Sequence, residues 1–454
     1  MSPRQASETS QRFTKAAFLG LMIFGLAMIT TLEVEFRGKT PDKLHFQSLS
    51  SEILMQTVSA GDLRDHPLES LWFLHIQPPA FDTLRAVIVN MLVRIAPNLD
   101  DRGLLRFLDA MIYNVWALLY AAMGAMIFIM LNRSAGGLTG LVGAMLFFFH
   151  PAAIFYATLL DATMLSSFAI LLFFMILKNP ETRKGDVFPL ALSLLFLFFT
   201  RSLFQWPFVV LCAFSLYLLD VPKRAIRSFF FFTSMVIIAF LTKQYLLFGL
   251  ATTTSFTGLS ISHTVDLRTT YNKNPYLENP GFANATGPSV LYRKRKINGT
   301  VNLNHVSFLR YNNELLETAR KKLLSDGIWQ LFRRTLENID KYLLPSSNYS
   351  RNFIVDSLFW RQAFDRVFSG MRLVMLLLLA AAIRMTLNRR RTLLRHDVAI
   401  LLPVFYIFLA SILLDRGENM RFKFFIEPLF IVFIVSQTQA VIHAFIGAEE
   451  PHEK

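Results

Sequence analysis

The chain has 454 residues, of which 53% are hydrophobic, 14% aromatic and only 17% charged. Soluble domains carry more charge than this, and several apolar stretches are long enough to cross a bilayer, so the composition predicts a polytopic membrane protein. Most of the formal net charge of +14 lies in short clusters beside apolar stretches, which favours a topological explanation and no nucleic-acid partner. The single cysteine, Cys212, excludes an intrachain disulfide.

Apolar segments along the chain predict an all-α bundle of about ten transmembrane helices. In chain order they cover residues 16–32, 110–131, 138–156, 159–176, 187–200, 203–219, 229–250, 367–387, 398–414 and 422–445. We expect an N-terminal transmembrane module at 1–250, which contains a first outer loop at 33–109. An extracytoplasmic loop with a small helical cap follows at 251–366, and a C-terminal transmembrane module at 367–454.

Segment 79–97 is amphipathic and is predicted to lie in the membrane interface, on the outer face. Its apolar face includes Phe81 and Ile88, whereas Arg85 and Arg94 lie in the opposite half and are expected to contact lipid headgroups. If this segment does not span, the positive-inside rule places one set of basic residues in the cytoplasm: those at 4–15, 133, 178–184, 223–227 and 389–395.

The other face then collects the remaining unusual charges. Besides the first outer loop, it receives Asp161, Arg201 and residues 415–421. The basic run Arg293-Lys294-Arg295-Lys296 also lies on this side, as a solvated surface or a phosphate site. This concentration of charge at one membrane surface predicts chemistry at that surface.

Short motifs follow one another along the chain in a fixed order. They are Asp42-Lys43-Leu44-His45-Phe46, Pro78-Pro79, Leu105-Arg106-Phe107-Leu108, Pro151, Asp161, the segment 313–344 and Glu418-Asn419-Met420-Arg421. The ordered series resembles the GT-C membrane glycosyltransferases, particularly the family of protein mannosyltransferases and lipid A aminoarabinose transferases. Lys43 stands where that family has Glu, and Gln77 stands where it has His.

This resemblance implies a GT-C-like fold with outer juxtamembrane helices. It also implies transfer of a sugar from a polyprenyl-phosphate donor to a glycan, lipid or protein acceptor on the non-cytoplasmic face, by direct displacement with a carboxylate base. Such chemistry requires no cofactor, although a divalent metal is compatible with it. The size of the chain favours a bacterial inner-membrane enzyme whose active site faces the periplasm.

The outer carboxylates are the candidate bases. Asp42 is the first choice, with a helix N-cap as its equally weighted structural alternative. Glu35 is the reserve, because it lies nearest the bilayer. Asp161 is a candidate to hold the acceptor or a metal, and otherwise a carboxylate that begins a helix.

The outer cations are the candidate phosphate ligands. Arg421 is preferred because a guanidinium matches two phosphate oxygens, and Glu418 would orient Arg421 or Lys423. A surface ion pair is the structural alternative. Arg201, at the outer end of a hydrophobic span, is expected to line a cavity or to reach the headgroups.

Other functions are compatible with the same topology. A transporter or flippase of lipid-linked glycans would show internal repeats and broken helices near the bilayer midplane. A polysaccharide polymerase or ligase would depend on basic residues in the large outer loop, such as the run at 293–296. A structural membrane subunit would leave every outer carboxylate as a flanking charge.

Overall fold

The computed structural model describes residues 3–39, 50–53, 56–265, 267, 274–278, 287–349, 353–368, 391–414 and 419–446. These residues are helical or irregular, with an isolated antiparallel bridge between Arg295 and Val301. The helices described are α1 (Pro3–Lys39), α2 (Ala60–Asp65), α3 (Pro67–Trp72), α4 (Ala80–Ile95), α5 (Asp101–Ala135), α6 (Gly137–Phe148), α7 (Pro151–Thr158), α8 (Ala162–Leu177), α9 (Pro180–Lys184), α10 (Phe188–Thr200), α11 (Trp206–Leu218), α12 (Lys223–Phe248), α13 (Thr257–Thr264), α14 (Ser289–Tyr292), α15 (Ser307–Leu343), α16 (Phe353–Ser357), α17 (Arg361–Phe368), α18 (Arg391–Leu414), α19 (Asn419–Phe424) and α20 (Glu427–Ile446). A short 3-10 helix, Ser346–Tyr349, follows α15.

Long apolar helices establish an all-α, membrane-embedded protein. Of the described residues, three helices are long and apolar enough to cross a bilayer: Phe13–Glu35 within α1, α5 and α12. A fourth is added if α6 and α7 are counted as one bent span. The shorter apolar helices α8, α10, α11 and Leu401–Leu413 of α18 coincide with predicted spans. The total of about ten spans stays a prediction, and segment 367–387 lies almost entirely outside the described residues.

The predicted span 138–156 is broken in two. Helices α6 and α7 meet at an angle of 56°. Pro151 causes the break, because proline lacks an N–H and disfavours helical geometry in the residue before it. His150 adopts an extended conformation there, and its Nδ1 accepts a hydrogen bond from Ala152 N at 3.1 Å, which caps α7. The prediction of one continuous helix was wrong at this point.

The two long outer segments pack against each other. The ring of His75 lies between Ser255 Oγ, at 2.8 Å from Nδ1, and Asn304 O, at 3.0 Å from Nε2. The Asn304 side-chain oxygen accepts a hydrogen bond from His75 N at 2.9 Å. Buried polar groups need such partners, and here residues 180 and 229 positions further along the chain supply them. The described residues within 50–79 and 253–305 therefore form a shared layer.

A buried ion network beside this layer corrects the prediction that Arg85 contacts lipid headgroups. Arg85 is fully buried, with Nη2 at 2.6 Å from Glu52 Oε2 and Nη1 at 2.7 Å from Asp82 Oδ1. Lys296 is also buried and donates to Thr57 Oγ1 at 2.9 Å and to Glu52 O at 3.1 Å. Arg85 is thus no headgroup anchor, whereas Arg94 is exposed. Helical periodicity missed this because the partners of Arg85 include a residue outside its own helix.

Helix α15 is divided at Gly327, whose φ of 74° is a left-handed value. Glycine adopts this conformation at little cost because it has no Cβ. Arg334 Nη2 lies 2.6 Å from Asp326 Oδ2, so an ion pair connects the two halves across the kink. The second half leads directly into the 3-10 helix at Ser346–Tyr349.

We predict that Arg85→Met lowers the free energy of unfolding by about 3–5 kcal/mol, because it leaves two carboxylates buried without their cation. Thermal or denaturant unfolding of the purified protein in detergent measures the change. Arg94→Met on the same helix is the matched control, with an expected effect within about 0.5 kcal/mol. Equal effects of the two substitutions would contradict the buried network.

Lys296 predicts a pH dependence of stability. Burial lowers its pKa from 10.5 to about 8, so the folded protein releases this proton before the unfolded chain does. Stability then rises with pH wherever the unfolded state binds more protons. From about pH 8 towards pH 10.5, the wild type should gain stability relative to Lys296→Met. Unfolding of both proteins across this window checks the sign, and a constant or falling difference would contradict it.

Candidate site at the ends of α8, α10 and α18

Asp161 lies at the start of α8, where a helix has unsatisfied backbone N–H groups. Its Oδ1 accepts a hydrogen bond from Thr163 N at 2.8 Å, and its Oδ2 accepts one from Thr163 Oγ1 at 2.8 Å. The residue is therefore the N-cap of α8, with the extended backbone typical of that position. The cap fixes a buried carboxylate at this end of the bundle.

Two arginines from distant parts of the sequence converge on this carboxylate. Arg201, directly after α10, has its Nη2 at 3.3 Å from Asp161 Oδ2 and 3.1 Å from Thr163 Oγ1. Arg421, on α19, has its Nη1 at 3.0 Å from the same Asp161 oxygen. Each guanidinium is planar and carries five N–H donors, so it can keep Asp161 as a partner and also bind an oxyanion.

Aromatic rings orient both guanidinium groups. The ring centroid of Tyr349 lies 5.3 Å from Arg421 Cζ, and that of Phe422 lies 5.8 Å away. Tyr349 OH is 3.5 Å from Arg421 Nη1. On the other side, the ring of Phe425 lies 6.0 Å from Arg201 Cζ. Cation–π contacts at such distances are attractive, more so away from water, and here they hold both cations next to Asp161.

A second buried polar group includes Lys423, two residues after Arg421 on α19. Lys423 Nζ donates to Leu344 O and lies 3.7 Å from Glu427 Oε1. The same Glu427 oxygen accepts a hydrogen bond from Ser346 Oγ at 2.6 Å, and His150 Nε2 lies 3.8 Å from its Oε2. The contacts within this group connect α20 to the α6–α7 break and to the segment after α15. Lys423 and Arg421 are both on α19, so this helix links the group to the first cluster.

An apolar groove of about 720 Å³ borders this second group. Its walls include Leu141, Val142 and Met145 of α6, and Phe359, Trp360 and Phe364 near α17. The ring of Phe364 lies 5.9 Å from that of His150, so the groove reaches the polar cluster. Trp360 Nε1 donates to Phe149 O at 2.8 Å, which attaches α17 to the break after α6. The site therefore combines buried cations with an adjoining apolar surface.

The structure places the predicted site residues unevenly. Asp161, Arg201 and Arg421 are in contact, and Lys423 lies in the adjoining group. Glu35 lies near the end of α1, where its side chain is exposed. Asp42 and Glu418 lie outside the described residues, so their positions stay predictions.

Sequence reasoning missed His150, Tyr349 and Glu427. Glu427 carried a usable signal, because a carboxylate at the start of an apolar stretch is costly without a partner. His150 lies in a short turn, and Tyr349 lies beside a Ser-rich segment. Neither spacing nor periodicity in the sequence distinguishes these two residues. Among the described residues, no group of three or more His, Cys, Asp and Glu side chains is arranged to hold a metal ion.

Comparison with known proteins adds no family to this description. No protein-family model matches the chain, and no curated protein matches its sequence.

Proposed function

We propose that this protein is a membrane glycosyltransferase that moves a sugar from a polyprenyl-phosphate donor to a glycan, lipid or protein acceptor. The observation that carries the proposal is the convergence of Arg201 and Arg421 on Asp161. Lys423, Glu427 and His150 connect this cluster to Phe364 in the wall of an apolar groove. A lipid phosphate has the matching two-part chemistry, because its anionic head needs cations and its isoprenoid chain needs an apolar surface.

In the proposed reaction, an acceptor hydroxyl oxygen attacks the anomeric carbon of the donor sugar. A carboxylate takes the hydroxyl proton, and the bond between the anomeric carbon and the phosphate oxygen breaks, with its electron pair going to the phosphate. Asp42 is the proposed base and Glu35 the reserve. The configuration at the anomeric carbon inverts, since the attack and the departure occur on opposite faces.

The buried cations would stabilise the leaving phosphate as its charge grows. Arg421 is the main phosphate ligand in this proposal, with Arg201 beside it. Asp161 keeps the two guanidinium groups in place. It is also the proposed residue for holding the acceptor or a divalent metal. Lys423 and Glu427 position α19, together with Glu418, which we expect to orient Arg421.

The proposed setting is a bacterial inner membrane, with the site facing the periplasm. The support is the pattern of basic clusters near 4–15, 178–184, 223–227 and 389–395, which the positive-inside rule assigns to the cytoplasm. Asp161, Arg201 and Arg421 lie where α8 begins and where α10 and α18 end, which is the opposite end of those helices from the clusters.

The contacts of the large outer loop weigh against a polymerase or ligase that uses the run at 293–296. Arg293 Nη1 lies 3.2 Å from Asp62 Oδ1, and Lys294 Nζ lies 3.0 Å from Glu278 Oε2. Arg295 donates to Gly299 O, and Lys296 is buried beside Glu52. These basic residues therefore have structural partners within the chain.

A flippase or transporter of the same lipid-linked sugar is the second candidate. The broken α6–α7 span favours it, because discontinuous helices line the substrate sites of many transporters. Reconstituted protein distinguishes the two: a transferase releases free polyprenyl phosphate and a glycosylated acceptor, whereas a transporter moves the intact donor across the bilayer.

We predict that Asp42→Asn lowers the rate of transfer by about 10²- to 10⁴-fold, as expected for loss of a general base. The assay follows sugar transfer from a defined polyprenyl-phosphate donor by purified protein, with thermal unfolding as the folding check. Glu35→Gln is the matched control and should remain active. Full activity of both variants would rule out the proposed base.

Arg421→Ala is predicted to lower kcat/KM for the donor by about 10²-fold, through loss of a cation that stabilises the leaving phosphate. Arg421→Lys keeps the charge but loses the planar guanidinium, so its kcat/KM for the donor should lie between those of Arg421→Ala and the wild type. Arg310→Ala, at an exposed position on the first half of α15, is the control. An unchanged kcat/KM for the donor in well-folded Arg421→Ala would show that Arg421 has only a structural role.

A further inference from the structure

The second half of α15 carries an exposed apolar stripe. Trp329 is 73% exposed, Phe332 50% and Leu336 46%. These residues recur at the spacing that places side chains on one helical face. The rings of Trp329 and Phe332 are stacked, with centroids 5.6 Å apart. Large stacked apolar side chains on an exposed face usually mark a contact with another apolar phase.

The opposite side of the same half-helix packs at the depth of a membrane helix. Asn338 Nδ2 donates to Ile412 O at 2.8 Å, and the ring of Tyr342 meets that of Phe408 edge-on at 5.0 Å. Phe408 and Ile412 belong to the apolar part of α18, Leu401–Leu413. Phe408 lies about 9 Å along the helix axis from the end of α18. Tyr342 therefore packs against the apolar part of α18, which belongs to a predicted span.

Charged side chains flank the apolar stripe. The side chain of Arg333 is 71% exposed, and its Nε lies 3.6 Å from Glu337 Oε1 on the next turn. Gln330 is exposed on the same flank. Helices with Trp, Phe and Leu on one side and basic residues beside them lie in the plane of the membrane surface. If this side of α15 faced water, the apolar stripe would contact solvent although lipid is available at the same level.

We propose that the half of α15 after Gly327 is an in-plane membrane anchor. Trp329, Phe332 and Leu336 enter the acyl boundary of the leaflet, and Arg333 contacts lipid phosphates. The anchor sets the height of the 3-10 helix that follows, and with it Ser346 and Tyr349 beside the buried cations. This proposal concerns lipid contact alone and does not depend on sugar transfer.

Spin labels on the full chain test the proposal. In a Cys212→Ala background, nitroxides at Phe332→Cys and at Gln330→Cys are compared after reconstitution into vesicles of phosphatidylcholine and phosphatidylglycerol. We expect the label at 332 to show several-fold higher accessibility to oxygen, and several-fold lower accessibility to a water-soluble nickel chelate, than the label at 330. Quenching of Trp329 by brominated lipid, as the difference between wild type and Trp329→Phe, provides a second readout without a label.

Two results would overturn the anchor. Equal accessibility of both labels to the nickel chelate, together with no quenching of Trp329, would place the stripe in water. Dipolar coupling between labels at 332 on separate chains, which disappears on dilution with unlabelled protein, would show that a second copy covers the stripe.

Discussion

A charge inside a membrane protein must be paired, and this requirement organises the end of the bundle where the candidate site lies. Asp161 caps α8 and accepts contacts from Arg201 and Arg421 through one carboxylate oxygen. The low dielectric of the surroundings strengthens these contacts and raises the cost of breaking them. Three chain segments that are far apart in sequence are thereby held in one place. Removal of Asp161 would leave both guanidinium groups without their shared counter-charge.

The same constraint recurs in the outer layer with a different outcome. Arg85, Glu52 and Asp82 pair with one another and with backbone groups, which suits a structural role. The group around Asp161 is instead followed by Lys423, and Glu427 and His150 connect Lys423 to Phe364 in the wall of an open apolar groove. Buried charge alone therefore does not identify a site. Its position next to a surface suited to a lipid is what distinguishes the second group from the first.

Much of the helical architecture could be predicted from the sequence, because apolar length and periodicity are local properties. The position of Asp161 at a helix start followed from the same local pattern. The break at Pro151 was missed because the residues on both sides of it are mostly apolar. Their composition therefore gave no sign that the helix axis changes direction there. Arg85 was misread because a helical wheel shows which residues share a face, but not what that face meets. Glu427 contacts Ser346, 81 positions away, and His150, which lies further still along the chain, and spacing rules do not reach such distances.

Two apolar helices near the candidate site are short for a bilayer. Helices α10 and α11 have 13 residues each, which corresponds to about 20 Å along the axis. The hydrocarbon thickness of a typical membrane is about 30 Å. Where such helices span, the hydrophobic mismatch is relieved when lipids compress around the protein. The leaflet would then thin beside α10, and the headgroups of neighbouring lipids would sink towards the level of Arg201, which follows that helix.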